Sequence, residues 1–251
     1  MYRLPTSNTP LDFPNDSKTS PEGLLAMDGN LLPETLINAY AKGIFPWFNE
    51  GDPLLWWHPD PRLVLFFDQI HVSQSLQKLI KKTVFLQEDT DEKYKYHVTI
   101  NQDFGTVIEA CASMRAEGRE TTWITKSMKK AYGQLHNLGF AHSVEVWNPE
   151  KELVGGMYGI AIGKVFFGES MFSRENNTSK LAFYWLSTFL KKHGFLLLDC
   201  QVESAHLKGL GAKNISRIEF LECLKRGKTH LKKTSAAFRC HSRGGGNPEN
   251  A

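Results

Sequence analysis

Apolar residues recur along the chain at helical and at strand spacing, and the two patterns alternate. Pro33 suits a first helical position, Leu36, Ile37 and Tyr40 make one face, and Gly43 closes that helix. Leu63 to Phe67 reads as a strand, and Ser73 to Lys82 as a short amphipathic helix with Lys78, Lys81 and Lys82 outward. Phe104, Val107, Ile108, Cys111 and Ala112 keep the spacing of one helix face. Thr125 then caps a helix with Met128, Ala131, Tyr132 and Leu135 inward, stopped at Gly139. His142 to Trp147 alternates as a half-buried strand, and Asn148-Pro149-Glu150 turns the chain.

The Gly-rich run Gly155 to Gly163 and the segment Val165 to Phe172 follow as paired strands, joined by a tight turn at Gly163-Lys164, with Glu169 at a strand end. Thr178-Ser179 is the expected N-cap of a helix that buries Leu181, Trp185 and Phe189 and stops at Gly194; Phe195 to Cys200 is a strand-length apolar run. Hairpin, helix and strand together bring Glu169, Asp199 and Gln201 to neighbouring strand ends, where sites in open α/β sheets form. Beyond them, His206 to Leu210 makes one helical turn, and Ser216-x-x-Glu219 is a capping box for a last helix through Leu221 and Leu224. Residues 1 to 22 read as an irregular lead-in, Gln87 to Tyr96 as an acidic surface loop, and order fades from Lys225 into a disordered appendage.

The stretch from Ile44 to Arg62 resists this reading. Its prolines break regular elements, yet Trp47, Trp56 and Trp57 crowd together there with Phe45, Phe48 and nearby Tyr40. Two uses fit so much aromatic surface: a satellite core under a stiff loop, or a platform on which a base stacks.

Composition narrows the picture. A chain of 251 residues, 41% hydrophobic and 23% charged, suits one large soluble domain or a large and a small one. No apolar run approaches the ~20 residues that span a bilayer, and Met1 to Pro5 lacks a signal-like apolar core, so the expectation is a cytosolic protein without a membrane partner. Cys111, Cys200, Cys223 and Cys240 form no C-x-x-C pair and read as free buried thiols; His136 and His142 lack an acidic or Cys companion at ligand spacing, which argues against a metal. Seven cationic residues and no acidic one lie between Lys225 and Arg243, a tail read as a solvated terminus in preference to a nucleic-acid arm.

Several long words occur in fixed order: Gly43-Ile44-Phe45-Pro46-Trp47-Phe48, Trp56-Trp57-His58-Pro59-Asp60-Pro61-Arg62, Thr122-Trp123-Ile124, His142 to Trp147, Gly155-Gly156-Met157-Tyr158-Gly159, Phe167 to Ser173 and Asp199-Cys200-Gln201. Through them the chain closely resembles the leucyl/phenylalanyl-tRNA protein transferases, from about Gly23 to about Leu224. The resemblance implies an α+β enzyme with a small N-terminal domain (1–62), a larger acetyltransferase-like, GNAT-type mixed-sheet domain (63–224) and an appended basic tail (225–251). It implies a monomer that needs no metal or organic cofactor. Its partners are aminoacyl-tRNA carrying Leu or Phe and proteins beginning with Arg or Lys, which it marks for degradation. By position, Tyr40, Trp47 and Trp123 match aromatics that hold the 3′-terminal adenosine, Met157 and Phe166 match the pocket for the apolar side chain, and Glu169, Asp199 and Gln201 match the catalytic centre. Two positions depart from the family words, Asp28 in a usual glycine pair and His58 in place of a usual Ser.

An aminoacyl ester is already activated, so the acceptor amine needs only to be neutral, aligned and close. Gln201 accepts from that amine, Asp199 orients the amide and steadies the developing ammonium, and Glu169 anchors a cationic acceptor or shares the base role. Read without the family, Asp199 caps a turn, Glu169 pairs a surface cation, and Met157, Phe166 and Phe167 are plain core. An oily pocket separates side chains differing by a methylene by only ~1–3 kcal/mol, so leakage to Met is expected. Two other functions compete. An acyl-CoA N-acyltransferase wants a glycine in the connection after the central strand, which Arg174 to Thr178 lacks. A catalytically silent RNA-binding protein would rest on the aromatic segment and the basic tail. Lys78, Lys81, Lys82, Lys126, Lys129 and Lys130 are candidates for meeting the tRNA body.

Overall fold

The computed structural model describes residues 2–14, 18–85, 94–116, 122–228 and Phe238. The chain begins with a four-stranded sheet. Strand β1 (Tyr2–Leu4) runs parallel to β2 (Leu24–Asp28), β2 pairs antiparallel with β4 (Leu55–Trp57), and β3 (Phe45–Pro46) closes the edge. The lead-in is therefore not wholly irregular, because its second to fourth residues find a partner in β2. The prolines around residue 46 do not exclude strands either: Pro46 sits in an edge strand, where a missing N–H leaves no ladder bond unmade. Helix α1 (Pro33–Ala41) packs on this sheet with Leu36, Ala39 and Tyr40 buried, and Pro33 opens it as expected.

The second sheet has eight strands in the order β12 (Lys213–Ile215), β5 (Arg62–Leu65), β11 (Leu197–Gln201), β10 (Val165–Ser173), β9 (Leu153–Ile162), β8 (Ala141–Trp147), β7 (Tyr96–Ile100), β6 (Thr83–Phe85). It is mixed: β10/β11 and β6/β7 are parallel pairs and the other neighbours are antiparallel. On one face it meets α1, α3 (Phe104–Ala116), α4 (Lys126–Asn137) and α7 (Arg217–Lys228); on the other lie α2 (Gln74–Ile80) and α5 (Thr178–Lys192). A short helix, α6 (Ala205–Gly209), follows β11.

With helices on both faces the central strands need apolar residues at every position. All ten residues of β9 are buried. The apparent polar side of β8 is buried as well: Glu145 accepts bonds from Thr99 Oγ1 at 2.7 Å and Ser143 Oγ at 2.5 Å, so the alternation marks a hydrogen-bonded interior and not a wet face. The glycines of β9 give way to neighbours. A Cβ on Gly155 would lie 2.4 Å from Thr178 Oγ1, so glycine there lets α5 seat on the sheet.

The cap of helix α5 lies one residue before the expected one. Thr178 lies inside the helix, buried, with its hydroxyl on the Val154 carbonyl at 2.8 Å, and Asn177 in left-handed backbone takes the cap position. Thr125 caps α4 as the sequence predicts, accepting from Met128 N, while Ser73, read from sequence as the first helical residue, is the cap of α2 and accepts from Leu76 N. Ser216 accepts from Glu219 N at 3.2 Å, the first half of the capping box.

Order does not fade at Lys225, since α7 continues to Lys228. Phe238 is buried in the second core, its ring 3.7 Å from His142, so at least this residue of the tail is packed. The rest of the expected appendage, Cys240, and the acidic loop from residue 86 to 93 lie outside the described residues. Among the described residues no helix is long and apolar enough to cross a membrane.

Candidate active site

The site forms where two strands part. β10 and β11 pair in parallel at Val165↔Leu197, Phe166↔Leu198 and Phe167↔Asp199, and there the pairing ends. Beyond it β10 stays with β9 through a bulge between Gly168 and Ser170, while β11 stays with β5 through a register shift between Asp199 and Gln201. A bulge bends a strand and re-aims its side chains, and the left-handed backbone of Gln201 (φ 66°) does the same on the facing strand. Glu169 therefore lies within β10, inside the bulge, not at a strand end.

The parting opens a pocket of about 450 Å³. Met157, Met171, Phe183, Leu198 and Cys200 supply apolar wall, Phe45, Pro46, Trp47 and Trp123 line an aromatic side, and Glu169 and Gln201 supply polar groups; Glu203 and His206 belong to an exposed rim. Glu169 is buried among donors. Tyr40 Oη lies 2.8 Å from Glu169 Oε1, Tyr132 Oη 3.0 Å from Oε2, and Gln201 Nε2 donates to Oε1 at 2.9 Å. The two phenol oxygens are 2.5 Å apart. Burial, with the Asp199 charge acting in the same direction, pushes the Glu169 carboxyl up to about 7 against the hydrogen bonds from Tyr40, Tyr132 and Gln201. Burial, then the Glu169 charge, holds the phenols of Tyr40 and Tyr132 well above their ordinary range.

Asp199 behaves otherwise. It is fully buried and grips Arg62 with both oxygens, Nε at 2.8 Å and Nη2 at 2.6 Å, while its Oδ1 accepts Gln201 N at 2.9 Å. The Arg62 guanidinium lies between the rings of Phe45 and Phe220, 4.9 and 4.5 Å from their centroids. Asp199 thus fixes the Gln201 backbone and does not line the pocket. His58 is wedged beside this pair; burial and the charges of Arg62 and Arg217 lower its imidazole to about 3, so it stays neutral.

The sequence-predicted residues divide accordingly. Trp47, Trp123, Met157, Glu169 and Gln201 line the pocket. Trp47 is 43% exposed at its mouth, held by Trp57 Nε1 donating to its carbonyl at 2.7 Å. Tyr40 is fully buried beneath, reaching the site only through its hydroxyl. Phe166 does not line the pocket: it pairs with Leu198 before the strands part, and packs against Gly159 and Phe238. The aromatic segment is part core and part open surface, with Trp56 at 0% exposure and Trp47 open. Of the candidate lysines, Lys129 is paired with Glu109 at 2.6 Å.

Arg62 and Tyr132 were absent from the predicted site. The signal for Tyr132 was a phenol on a buried helix face, which needs a partner for its hydroxyl. Arg62 closes the Pro-Asp-Pro-Arg word, but nothing in sequence ties it to a carboxylate 137 positions away. Cys111, Cys200 and Cys223 are buried, and among the described residues they form no disulfide. Among the described residues no cluster of three His, Cys, Asp or Glu side chains is placed to hold a metal.

Comparison with known proteins matches two family models: "Leucyl/phenylalanyl-tRNA protein transferase" over residues 64–225, and its N-terminal domain over residues 29–60. A leucyl/phenylalanyl-tRNA protein transferase of Pseudomonas fluorescens is 52% identical over 217 residues, covering 86% of this chain and 90% of its own. One of Flavobacterium johnsoniae is 50% identical over 215 residues, covering 86% and 96%. Among solved structures, L-PGS from Bacillus licheniformis shares 12% identity at a TM-score of 0.37 over 72% of this chain and 53% of its own, too distant to carry an argument.

Proposed function

The chain belongs to the leucyl/phenylalanyl-tRNA protein transferase family, and we propose that it moves Leu or Phe from charged tRNA onto the N-terminal amine of proteins that begin with Arg or Lys. The observation that carries this reading is the pocket in the parted sheet, where an oily wall adjoins a polar centre built on Glu169 and Gln201. Met157, Met171, Phe183 and Leu198 take the Leu or Phe side chain by burial and shape, and a flexible Met-lined wall also admits Met. Trp47 and Trp123 at the mouth supply faces for the terminal adenosine.

In the reaction the amine nitrogen attacks the ester carbonyl, the new amide bond forms, and the ribose oxygen leaves with a proton. No covalent enzyme intermediate is needed, so the protein contributes alignment and electrostatics. The Gln201 amide donates to Glu169 through Nε2, which leaves its carbonyl oxygen to accept from the incoming amine. Asp199 acts one step back, through the Gln201 backbone N–H. Glu169 is enclosed by donors, so the cation of the acceptor meets the exposed rim, where Glu203 now pairs Lys208 at 2.6 Å.

The larger unit, 63–224, is read as acetyltransferase-like, supported by a mixed sheet whose parallel pair separates at the site. The separate family matches before and after residue 62 support a small N-terminal domain over 1–62, with 225–251 as a basic appendage. The enzyme is taken to work as a cytoplasmic monomer. Membership of this family disfavours the acyl-CoA and silent RNA-binding alternatives. The test is transfer of labelled Leu from charged tRNA to a peptide beginning with Arg and to one beginning with Ala. Labelling of the Arg peptide alone is expected; equal labelling of both, or of neither, overturns the reading.

A further inference from the structure

Glu169, Tyr40 and Tyr132 close a ring of three buried contacts, at 2.8, 3.0 and 2.5 Å. Each contact needs one proton between its two oxygens. With an ionised carboxylate the ring holds only two protons, one from each phenol. If both phenols donate to the carboxylate, two lone-pair oxygens face one another at 2.5 Å with nothing between them. If one phenol donates to the other, one phenol oxygen faces a carboxylate oxygen at 2.8 or 3.0 Å with no proton between them. A third proton completes the ring: Glu169 Oε2–H donates to Tyr132, Tyr132 to Tyr40, and Tyr40 to Glu169 Oε1. That direction leaves Oε1 as a carbonyl oxygen, able to accept Tyr40 and the Gln201 amide together.

The surroundings agree. Facing the carboxyl are Tyr40 from α1, Tyr132 from α4, Tyr158 from β9 near both phenols, and Gln201 and Asp199 from β11. Arg62 on β5 is already held by both oxygens of Asp199. Among the described residues the hydrogen-bond partners of Glu169 are neutral groups, and burial favours its neutral form.

We propose that Glu169 is held as a neutral carboxylic acid in the working enzyme, acting neither as base nor as anchor for a cation but as the hub that turns the Gln201 carbonyl toward the acceptor amine. Tyr132 is a positioning residue of this hub. The functional half rests on the transfer reading above; the protonation half does not.

The ring needs no ligand to be tested. In protein labelled with 13C at glutamate carboxyls, a pH titration followed by NMR is expected to show one group titrating two or more pH units above the rest, its signal missing in Glu169→Gln. All glutamates titrating together in the ordinary range would overturn the proposal. The kinetic arm uses transfer to an Arg peptide. Glu169→Ala is expected to lose at least a hundredfold in kcat, and Glu169→Gln, which keeps one acceptor and one donor, to regain at least tenfold of that loss. The wild-type rate should fall on the alkaline side of the Glu169 titration, a limb that the Gln variant lacks. Equal loss in Ala and Gln variants with the limb intact would show Glu169 working as an anion and sink the idea. Should the Gln variant not fold, the wild-type titration decides alone, with Tyr132→Phe assigning the ring by the shift of its partner's signal. Failure of wild type to prefer the Arg peptide would refute the substrate reading and leave the titration standing.

Discussion

Two buried carboxylates lie on adjacent strands of this protein, and their surroundings could hardly differ more. Asp199 on β11 meets a guanidinium edge-on with both oxygens, and the guanidinium is in turn sandwiched between Phe45 and Phe220. Glu169 on β10 meets only neutral donors, two phenols and an amide. The first arrangement supplies a full counter-charge; the second supplies hydrogen bonds without charge, and burial then favours the acid. One sheet thus holds a fixed ionic joint and a proton-bearing hub side by side, and the Gln201 backbone and side chain connect them.

The largest expected effect breaks the ionic side. Arg62→Ala strands Asp199 in a dry interior and should cost about 3–5 kcal/mol of stability in urea unfolding. Replacing both partners by apolar residues of similar volume, Arg62→Met with Asp199→Leu, should recover most of that stability while transfer stays lost; recovery of both would mean that Asp199 serves the fold alone. Next in size is the pH dependence carried by the other carboxyl. Its folded value of about 7 lies above the ordinary 4.5. The contribution is therefore full below the ordinary value and is lost as pH rises through about 7. The displacement corresponds to about 3 kcal/mol. Unfolding curves at a series of pH values should show this decline in wild type and not in Glu169→Gln.

Smaller effects sharpen the contrast. Tyr132→Phe removes one phenol of the ring and should cost about 1–3 kcal/mol of stability, with kcat falling more than KM rises. Trp47→Ala lies outside both carboxylate sites: stability should change by less than about 0.5 kcal/mol, while the KM for charged tRNA rises by a stacking loss of about 1–3 kcal/mol. Smallest of all, Glu203→Gln should leave the melting curve alone and narrow the preference for an Arg peptide over an Ala peptide.

Much of this was legible in the sequence because local chemistry reports itself. The cap at Thr125, the turn at Gly163-Lys164 and the stop at Gly194 each place an element end through a bond or a backbone angle that only a few residue types supply. The words around Trp47, Trp123, Met157 and Gln201 led to residues that share one pocket. What escaped was set by distance or by register. The bulge at Gly168 to Ser170 has no signature of its own, so Glu169 looked like a strand end; the family resemblance put Phe166 in the pocket, while its pairing with Leu198 before the strands part keeps it in the core. The partner of Asp199 arrives from another strand, and strand β1 exists only because β2 lies beside it. The buried polar side of β8 read as solvated because alternation looks alike whether the second face meets water or a hydrogen-bonded interior.

Arg62 opens β5, the first strand after the small sheet, and Tyr40 reaches Glu169 from a helix of that same small sheet. The small sheet is therefore fastened to the large one at the very spot where the chemistry is proposed, once by the Phe45 ring against the Arg62 guanidinium and once by a phenol. A rocking motion between them would have to tear these fastenings out of dry surroundings. On the proposed function the mouth at Trp47 is then a fixed aperture, into which the end of the charged RNA would thread instead of being clamped by a closing jaw.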